Sequence, residues 1–493
     1  MVKLYFAEYL PDKPDLDNNG ITLAKNVIPS GSSYLQFPAL TAYSSNALDA
    51  YCRGAVSAKD SDGSTSNFFG TGTKLYNLVG GAFNDISIAS GYNSGLESMW
   101  NFAQTGERIM ATNFDDYIQS YVMGSSALFA NLTTALRARY IATMSGFVLT
   151  LNTWDSSDGN VPERLRWCAR GDATDWTVSS TTQAGYANLD GSKGWGMNVI
   201  GGEYSIAFQE RAITRIQYVG SPNVFQLDEI ESGRGLLAPS SAIKAGNLIF
   251  YLGQDGFYVT DGNSSIPIGE NKINRTFFAE VDNAYYQRIS SAVDINKQVI
   301  YWAYPASGNT SGRPNKILMY NFAPEATTRW AFAEVDIDVI FPSFSEGYTL
   351  DNLDTFSTNI DTLEISLDSR FYTGNQTILS GINSDQKLAY FNGSALVATI
   401  ETTEAQLIEG SRAFVKLLRT LVHGTTATTT VAMGTRNNLD ESVTWGNAIS
   451  ANSNGEYFTR SNARYHRARV SISGGFDHAQ GIEVLDYSDA GKR

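Results

Sequence analysis

Two stretches, YSIAFQERAITRIQYVG at 204–220 and NLIFYLGQDGFYVTDG at 247–262, decide the fold class of this 493-residue chain. Each has the same plan, a short apolar run typical of a buried strand, then a short polar turn and a second strand, which predicts two antiparallel strands. The two turns align, QER at 209–211 with QDG at 254–256. Both stretches therefore predict the same unit, a β-hairpin.

Hairpins of the same plan begin near residues 108, 146, 204, 247 and 298. An irregular spacing of about 40–50 residues, with a hairpin as the repeated unit, is typical of the blades of a degenerate β-propeller. A β-sandwich is the alternative, although its turn signals usually recur about every 8–12 residues. Only residues 134–144 and 405–420 have an apolar spacing that a helix could use. We therefore predict an all-β chain built around a degenerate β-propeller.

The two ends of the chain differ from this middle part. Residues 1–50 are punctuated by prolines, which predicts an extended N-terminal arm. Residues 51–400 form the predicted propeller-like domain, and residues 401–493 form an additional C-terminal β-sheet domain. The predicted strands of that last domain are 413–422, 428–434 and 464–472.

Composition argues against several classes of protein. Charged residues make up 17% of the chain and hydrophobic residues 42%, which fits a packed, soluble β-protein. The formal net charge of −14 argues against tight binding to a phosphate backbone. Cys52 and Cys168 are too far apart to indicate a disulfide framework or a zinc motif. Neither a signal peptide nor a transmembrane segment is visible, so we expect no membrane insertion.

The common catalytic motifs are missing from the sequence: GxSxG, HExxH, Walker A and GxGxxG. All three histidines, His423, His466 and His478, lie in the C-terminal region, so a catalytic triad in the propeller would have to borrow one of them. We place His466 on a basic strand face and the other two in loops. We predict no enzyme activity, no cofactor, and no catalytic, cofactor-binding or metal-binding residue.

Two acidic segments resemble metal-binding loops only in part. Asp15, Asp17 and Asn19 match the first half of a calcium loop, but Asn26 stands where its bidentate glutamate is needed. We therefore interpret this segment as an Asx-rich turn. We also interpret KDSDGST at 59–65 as a turn, because aspartate, serine and glycine are typical turn residues.

Four tryptophans are candidates for a sugar site. Trp176 lies with two aspartates in GDATDWT at 171–177, which resembles the SxDxGxTW box of sialidase-type propellers only in its aspartate and tryptophan. We interpret this segment as a turn capped by a packed indole. Trp154, Trp167 and Trp195 are the right residue type to line a sugar site, but packing within blades is the commoner role of such tryptophans.

Arg460, Arg464, Arg467 and Arg469 form the one local concentration of positive charge. On a strand, Arg467 and Arg469 share one face, and Arg464 shares the other with His466. We expect these arginines to pair with acids of an adjacent subunit; DNA is the alternative partner.

The order of several segments is similar to that in a known family. These segments are NGITLAKNVIPSGSSYLQFPAL at 19–40, FFGTGTKLYNL at 68–78, ERIMATNFDDYIQSY at 107–121, PERLRWCARGDATDW at 162–176, GGEYSIAFQERAITRIQYVG at 201–220, and GQDGFYVTDG with PIGENKINRTFF within 253–278. In this order they resemble the tail hub, or packaged-DNA stabilisation, family of short-tailed bacteriophages, which includes tubular tail nozzle proteins. The resemblance spans roughly residues 10–280 and the closing RYHRARVSISGGF at 464–476.

The resemblance implies a structural virion protein, made in the host bacterial cytoplasm and assembled into the tail. It implies a homo-hexameric ring below the portal and its adaptor ring, which retains packaged double-stranded DNA and forms its exit channel. Tail fibres or spikes and a tip or needle protein dock on such a ring. The alternatives are a carbohydrate-binding or glycan-degrading propeller of a phage tail, and a capsid-associated sandwich.

Two expectations about assembly follow. The N-terminal arm and the sheet after residue 400 should supply the ring contacts, so a chain without residues 1–40 should remain a folded monomer. The channel wall should repel DNA rather than bind it, because every neutralised phosphate would tighten binding. Candidates to line that wall are the turn residues Asp115, Asp116, Glu210 and Asp255.

Overall fold

The computed structural model describes residues 2–15, 17–309, 311–344 and 377–492, and most of them lie in antiparallel β-sheets. The helical elements are α1 (Asn274–Glu280) and 3-10 turns at Gly191–Lys193, Pro239–Ser241 and Asn283–Arg288. The N-terminal strands are β1 (Val2–Tyr5), β2 (Ile21–Lys25), β3 (Val27–Ser30), β4 (Ser33–Gln36) and β5 (Pro38–Ala42). The prediction of an all-β, propeller-like fold is confirmed.

In the described part of the chain, seven antiparallel meanders of four strands, which we number as blades one to seven, follow one another around an axis. From the axis outward, blade one contains β6 (Gly54–Lys59), β7 (Thr65–Gly70), β8 (Leu75–Val79) and β9 (Ala82–Asp85). Blade two contains β10 (Asn101–Thr105), β11 (Arg108–Thr112), β12 (Gln119–Val122) and β13 (Ala130–Asn131). Blade three contains β14 (Leu136–Met144), β15 (Phe147–Asp155), β16 (Gly159–Trp167) and β17 (Gly185–Asn188). Blade four contains β18 (Gly196–Ile200), β19 (Ser205–Gln209), β20 (Ala212–Gly220) and β21 (Val224–Ser232).

The remaining blades complete the ring. Blade five contains β22 (Ile243–Ala245), β23 (Leu248–Leu252), β24 (Phe257–Thr260) and β25 (Ser265–Pro267). Blade six contains β26 (Ser290–Asp294), β27 (Val299–Tyr304), β28 (Lys316–Asn321) and β29 (Trp330–Glu334). Blade seven contains β30 (Ile337–Phe344), β31 (Thr377–Asn383), β32 (Leu388–Ala395) and, as its outer strand, β5 from the N-terminal segment.

The ring closes through its inner strands. β6 packs against β10, β10 against β14 and β14 against β18, and β22, β26 and β30 continue the series back to β6. The 3-10 turn at Pro239–Ser241 contacts both β18 and β26. It therefore bridges blades four and six next to β22, the inner strand of blade five. We call the face with the connections from second to third strands the upper face, and the opposite face the lower face.

The hairpin repeat predicted from the sequence corresponds to the blades. The onsets near 108, 146, 204, 247 and 298 coincide with the second strands of blades two to six, β11, β15, β19, β23 and β27. The aligned turns at 209–211 and 254–256 are the connections from second to third strands in blades four and five. Each repeat therefore begins at the same position of a blade.

Neither of the two stretches whose spacing a helix could use is helical. Residues 134–144 contain β14, whose burial on both faces between β10 and β18 removes strict alternation. Residues 405–420 enter β34, where a register shift between Val415 and Leu417 breaks the alternation.

The C-terminal strands build a second module on blade six. They are β33 (Ala398–Thr402), β34 (Ala413–His423), β35 (Thr428–Arg436), β36 (Thr444–Trp445), β37 (Ile449–Ser450), β38 (Glu456–Ala463), β39 (Tyr465–Ser473) and β40 (His478–Asp489). One sheet extends blade six outward in the order β29, β2, β33, β39, β35, β36. The other, which we call the outer sheet, has the order β3, β4, β40, β34, β38, with β1 also paired to β40. A single apolar core joins this module to blade six.

The N-terminal strands β1 to β5 are packed into the sheets of the fold, which differs from the extended arm expected from the sequence for residues 1–50. β2 lies between β29 and β33, β5 closes blade seven, and β1 and β4 pair with β40. Tyr34 and Phe37 are fully buried, and the Tyr34 hydroxyl donates to the carbonyl of Ala7 at 2.8 Å. The N-terminal segment therefore holds the two modules of one chain together.

Candidate functional site

A cavity of about 560 Å³ lies on the propeller axis and is lined by residues from all seven blades. Its polar lining includes Arg53, Asn101, Asn198, Arg288 and Asp338. Arg53, Arg288 and Asp338 lie at or just before the starts of inner strands, so the charged groups gather at the upper mouth of the cavity.

Asp338 is a buried acid at the upper mouth of the cavity. Its side chain is fully buried, with Oδ1 2.6 Å from Arg313 Nε, and Oδ2 accepts from the Cys52 backbone N–H at 3.1 Å. Burial raises the pKa of Asp338 to about 6, and the opposing effects of Arg313 and Cys52 are smaller. Arg288 pairs with Glu97 at 3.2 Å beside it. No sequence pattern marks this cluster, because its members lie on separate connections that meet only when the ring closes.

The raised pKa of Asp338 predicts a pH-dependent stability. Because the folded state favours the protonated acid, the unfolding free energy of the wild type should rise, relative to Asp338→Asn, as pH falls from about 7 to 4. The gain lies between the folded pKa of about 6 and the ordinary value of 3.8, and amounts to roughly 2–3 kcal/mol. Urea unfolding of both proteins at pH 7, 5.5 and 4 measures it, with the exposed Asp336→Asn as control. Parallel pH profiles for wild type and Asp338→Asn would contradict the assignment.

The four acidic turn residues lie on one face of the propeller. Asp115 and Asp116 follow β11, Glu210 follows β19 and Asp255 follows β23, so all four are in connections between second and third strands. Since each blade repeats the same meander, these connections share the upper face. Arg234 Nε lies 3.7 Å from Asp255.

Of the predicted basic patch, Arg460 lies exposed on β38, whereas Arg467 and Arg469 on β39 pair with acids of their own chain and not, as expected, with acids of an adjacent subunit. Arg467 lies 2.6 Å from Asp15 and 3.2 Å from Glu404. Arg469 lies 2.5 Å from Glu401. These arginines are therefore neutralised where they stand and offer little free charge to a phosphate backbone.

The two acidic segments are structural. Asp15 is engaged by arginines, and Asn26 adopts a φ of 57° while its side chain donates to the Val397 carbonyl and accepts from the Glu334 N–H, at 2.9 and 3.0 Å. Asp62 accepts from the Ser64 N–H at 2.8 Å in the predicted turn. In the described part of the chain, no group of three or more His, Cys, Asp or Glu side chains is arranged to hold a metal ion.

The histidines are placed differently from the prediction. His466 lies on the opposite face of β39 from Arg467 and Arg469 and is 1% exposed, so it belongs to the interior and not to a basic face. Burial lowers the pKa of His466. His423 ends β34 and His478 begins β40, and the two are register partners within the outer sheet and not loop residues.

The tryptophans do not form a common surface. Trp176 is buried, with its indole donating to the Ala173 carbonyl at 2.9 Å, which confirms the capped turn. Trp167 is packed within the core of blades three and four. Trp154 stacks on a guanidinium, and Trp195 is 57% exposed. A row of exposed rings for a sugar is therefore absent from these four positions.

No protein-family model and no curated protein matches the chain. Similar solved structures include the computationally designed Ika8 protein, 9% identical, covering 71% of this chain and 99% of that chain with a TM-score of 0.38. Another is from a mitotic checkpoint complex, 9% identical, covering 72% and 94% with a TM-score of 0.39. Among the described residues, no helix has the length and apolar character needed to span a membrane.

Proposed function

We propose that this chain is a non-enzymatic subunit of the tail nozzle or hub ring of a short-tailed bacteriophage. The family and the number of six subunits come from the sequence resemblance. The observation that supports a ring is the outer sheet, which has two different unpaired edges on opposite sides. Among the described strands, β38 pairs only with β34, and β1 pairs only with β40.

Each of these edges carries an exposed aromatic side chain. Phe458 on β38 is 66% exposed and Tyr5 on β1 is 63% exposed, more than any other described aromatic residue. Neighbouring positions on both strands, Leu4 and Tyr457, face the core, so Tyr5 and Phe458 point to the outer side of the sheet. Open strand edges are templates for pairing with another chain. Joining β38 of one copy to β1 of the next is a heterologous contact, the type that closes into rings.

The charge distribution supports a DNA conduit. The upper face carries the acidic turns with Asp115, Asp116, Glu210 and Asp255, and the arginines of β39 are paired internally. Acidic turns repel phosphates at short range, and the paired arginines of β39 offer them little free charge. In the proposed ring this face borders the channel, and β39 lies away from the DNA. The adaptor, the fibres or spikes and the tip protein then dock on the remaining surfaces.

Separate Phe458→Asp and Tyr5→Asp variants test the ring. The wild type should form rings by light scattering and negative-stain imaging, and each variant should be a folded monomer, because a charge at the edge opposes pairing. Trp195→Asp, which alters an exposed aromatic residue elsewhere, is the matched control and should still form rings. A mixture of the two monomers should give only a heterodimer, since each retains one intact edge. Monomeric or trimeric wild-type protein would contradict the proposal.

A further inference from the structure

A second cavity, of about 390 Å³, lies between blades six and seven on the lower face. Its walls come from three distant parts of the chain: the β26–β27 hairpin, strands β31 and β32, and the N-terminal segment around β3 and β5. Most of the lining surface is apolar and comes largely from Ile28, Phe37, Pro38, Ile378, Leu379 and Phe391. The lining residues with polar groups are Asp294, Asn296, Lys297, Tyr301, Thr377, Tyr390 and Asn392. This size and composition are those of small-molecule sites, which span about 300–1,000 Å³.

Among the described residues, two polar atoms of this lining have no hydrogen-bond partner. They are the hydroxyl of Tyr301, a fully buried residue, and Oδ1 of Asn392. Alternation along β27 directs Tyr301 toward blade seven, because the adjacent Trp302 faces the other way and its indole donates to the Ser241 carbonyl at 2.9 Å. Leaving a buried polar group unpaired costs about 1–3 kcal/mol. A ligand that satisfies both atoms would recover this cost.

The charges near the cavity favour a neutral ligand. Asp294 and Lys297 both line it and lie 3.9 Å apart, so they neutralise each other. Burial, and to a smaller extent the charge of Asp294, raises the pKa of Tyr301. The phenol therefore stays protonated and acts as a donor, while Asn392 Oδ1 acts as an acceptor.

We propose that this cavity binds a small neutral apolar alcohol or phenol, whose single hydroxyl group accepts from Tyr301 and donates to Asn392. The apolar body of the ligand packs against the phenylalanine, isoleucine and leucine walls. This site is independent of the proposed ring function, since it lies between two blades of one chain.

Titration with 2-naphthol, followed by its fluorescence, tests the site on the full chain. One molecule should bind per chain, and Tyr301→Phe and Asn392→Leu should each weaken binding about tenfold, as expected for one hydrogen bond. Binding of 2-methoxynaphthalene, which accepts but cannot donate, should be insensitive to Asn392→Leu. Tyr186→Phe, on an exposed strand, is the matched control.

A second measurement separates binding from folding. Tyr301→Phe removes an unpaired buried hydroxyl and should leave the melting temperature of the free protein unchanged or higher. A marked loss of stability would show that the hydroxyl already has a partner and would overturn the proposal. So would equal affinity of 2-naphthol for the wild type and both variants, or no binding up to the solubility limit.

Discussion

A chain that lacks residues 1–40 is expected to fail to fold, and not merely to fail to assemble. The deletion removes β2, which joins blade six to β33, and three of the five residues of β5, which closes blade seven. It also removes the fully buried Tyr34 and Phe37. Circular dichroism and limited proteolysis of the purified truncation measure the loss. This replaces the expectation from the sequence that the truncated chain would be a folded monomer.

Two point substitutions test whether it is the buried side chains of the N-terminal segment that stabilise the fold. Phe37→Ala should lower the unfolding free energy by about 3–5 kcal/mol, because it empties a fully buried aromatic site beside Phe391. Tyr5→Ala, in the same segment but 63% exposed, should lower it by less than about 0.5 kcal/mol. A truncated chain with a cooperative melt, or equal effects of the two substitutions, would contradict the role assigned to this segment.

The sequence predicts the blades where local alternation is undisturbed. The hairpins of blades two to six could be located because each is continuous in sequence and begins with a short, buried apolar strand that ends at a polar turn. The number of blades could not, because blade seven takes its outer strand from β5, roughly 350 residues before β32. No local pattern encodes such a pairing. The same reason explains why the N-terminal strands were interpreted as an arm.

The partners of the charged residues could not be predicted from the sequence, because they too depend on contacts between distant segments of the chain. The sequence identifies Arg467 and Arg469 as neighbours on one face, and the structure confirms it. Their acids, Asp15, Glu401 and Glu404, are brought to them only by the pairing of β2 with β33 and of β33 with β39. Turn chemistry at Asp62 and Trp176 was predictable because its hydrogen bonds join residues two or three positions apart.

Glu404→Ala is expected to be among the most destabilising single substitutions in the C-terminal module. The Glu404 side chain is 1% exposed and receives Arg436 at 2.5 Å and Arg467 at 3.2 Å, which are themselves only 9% and 12% exposed. Without the carboxylate, Asp15 remains as an acid beside both guanidinium groups, and Arg436 keeps hydrogen bonds to the carbonyls of Leu439 and Glu441. Removing one partner of such a network costs about 3–5 kcal/mol, because the remaining charge stays buried. Urea unfolding at neutral pH measures the change.

Two further variants make the test specific to buried charge. Glu404→Gln keeps the shape and the acceptor oxygen but loses the charge, so its effect should lie between those of wild type and Glu404→Ala. Asp486→Ala breaks the exposed pair with Lys416, whose side chains are 54% and 46% exposed, and should change stability by less than about 1 kcal/mol. If Glu404→Ala were as mild as Asp486→Ala, the arginines of β39 would not need their internal partner. They would then be able to bind acids of an adjacent subunit or DNA, and they would not be neutralised within the chain.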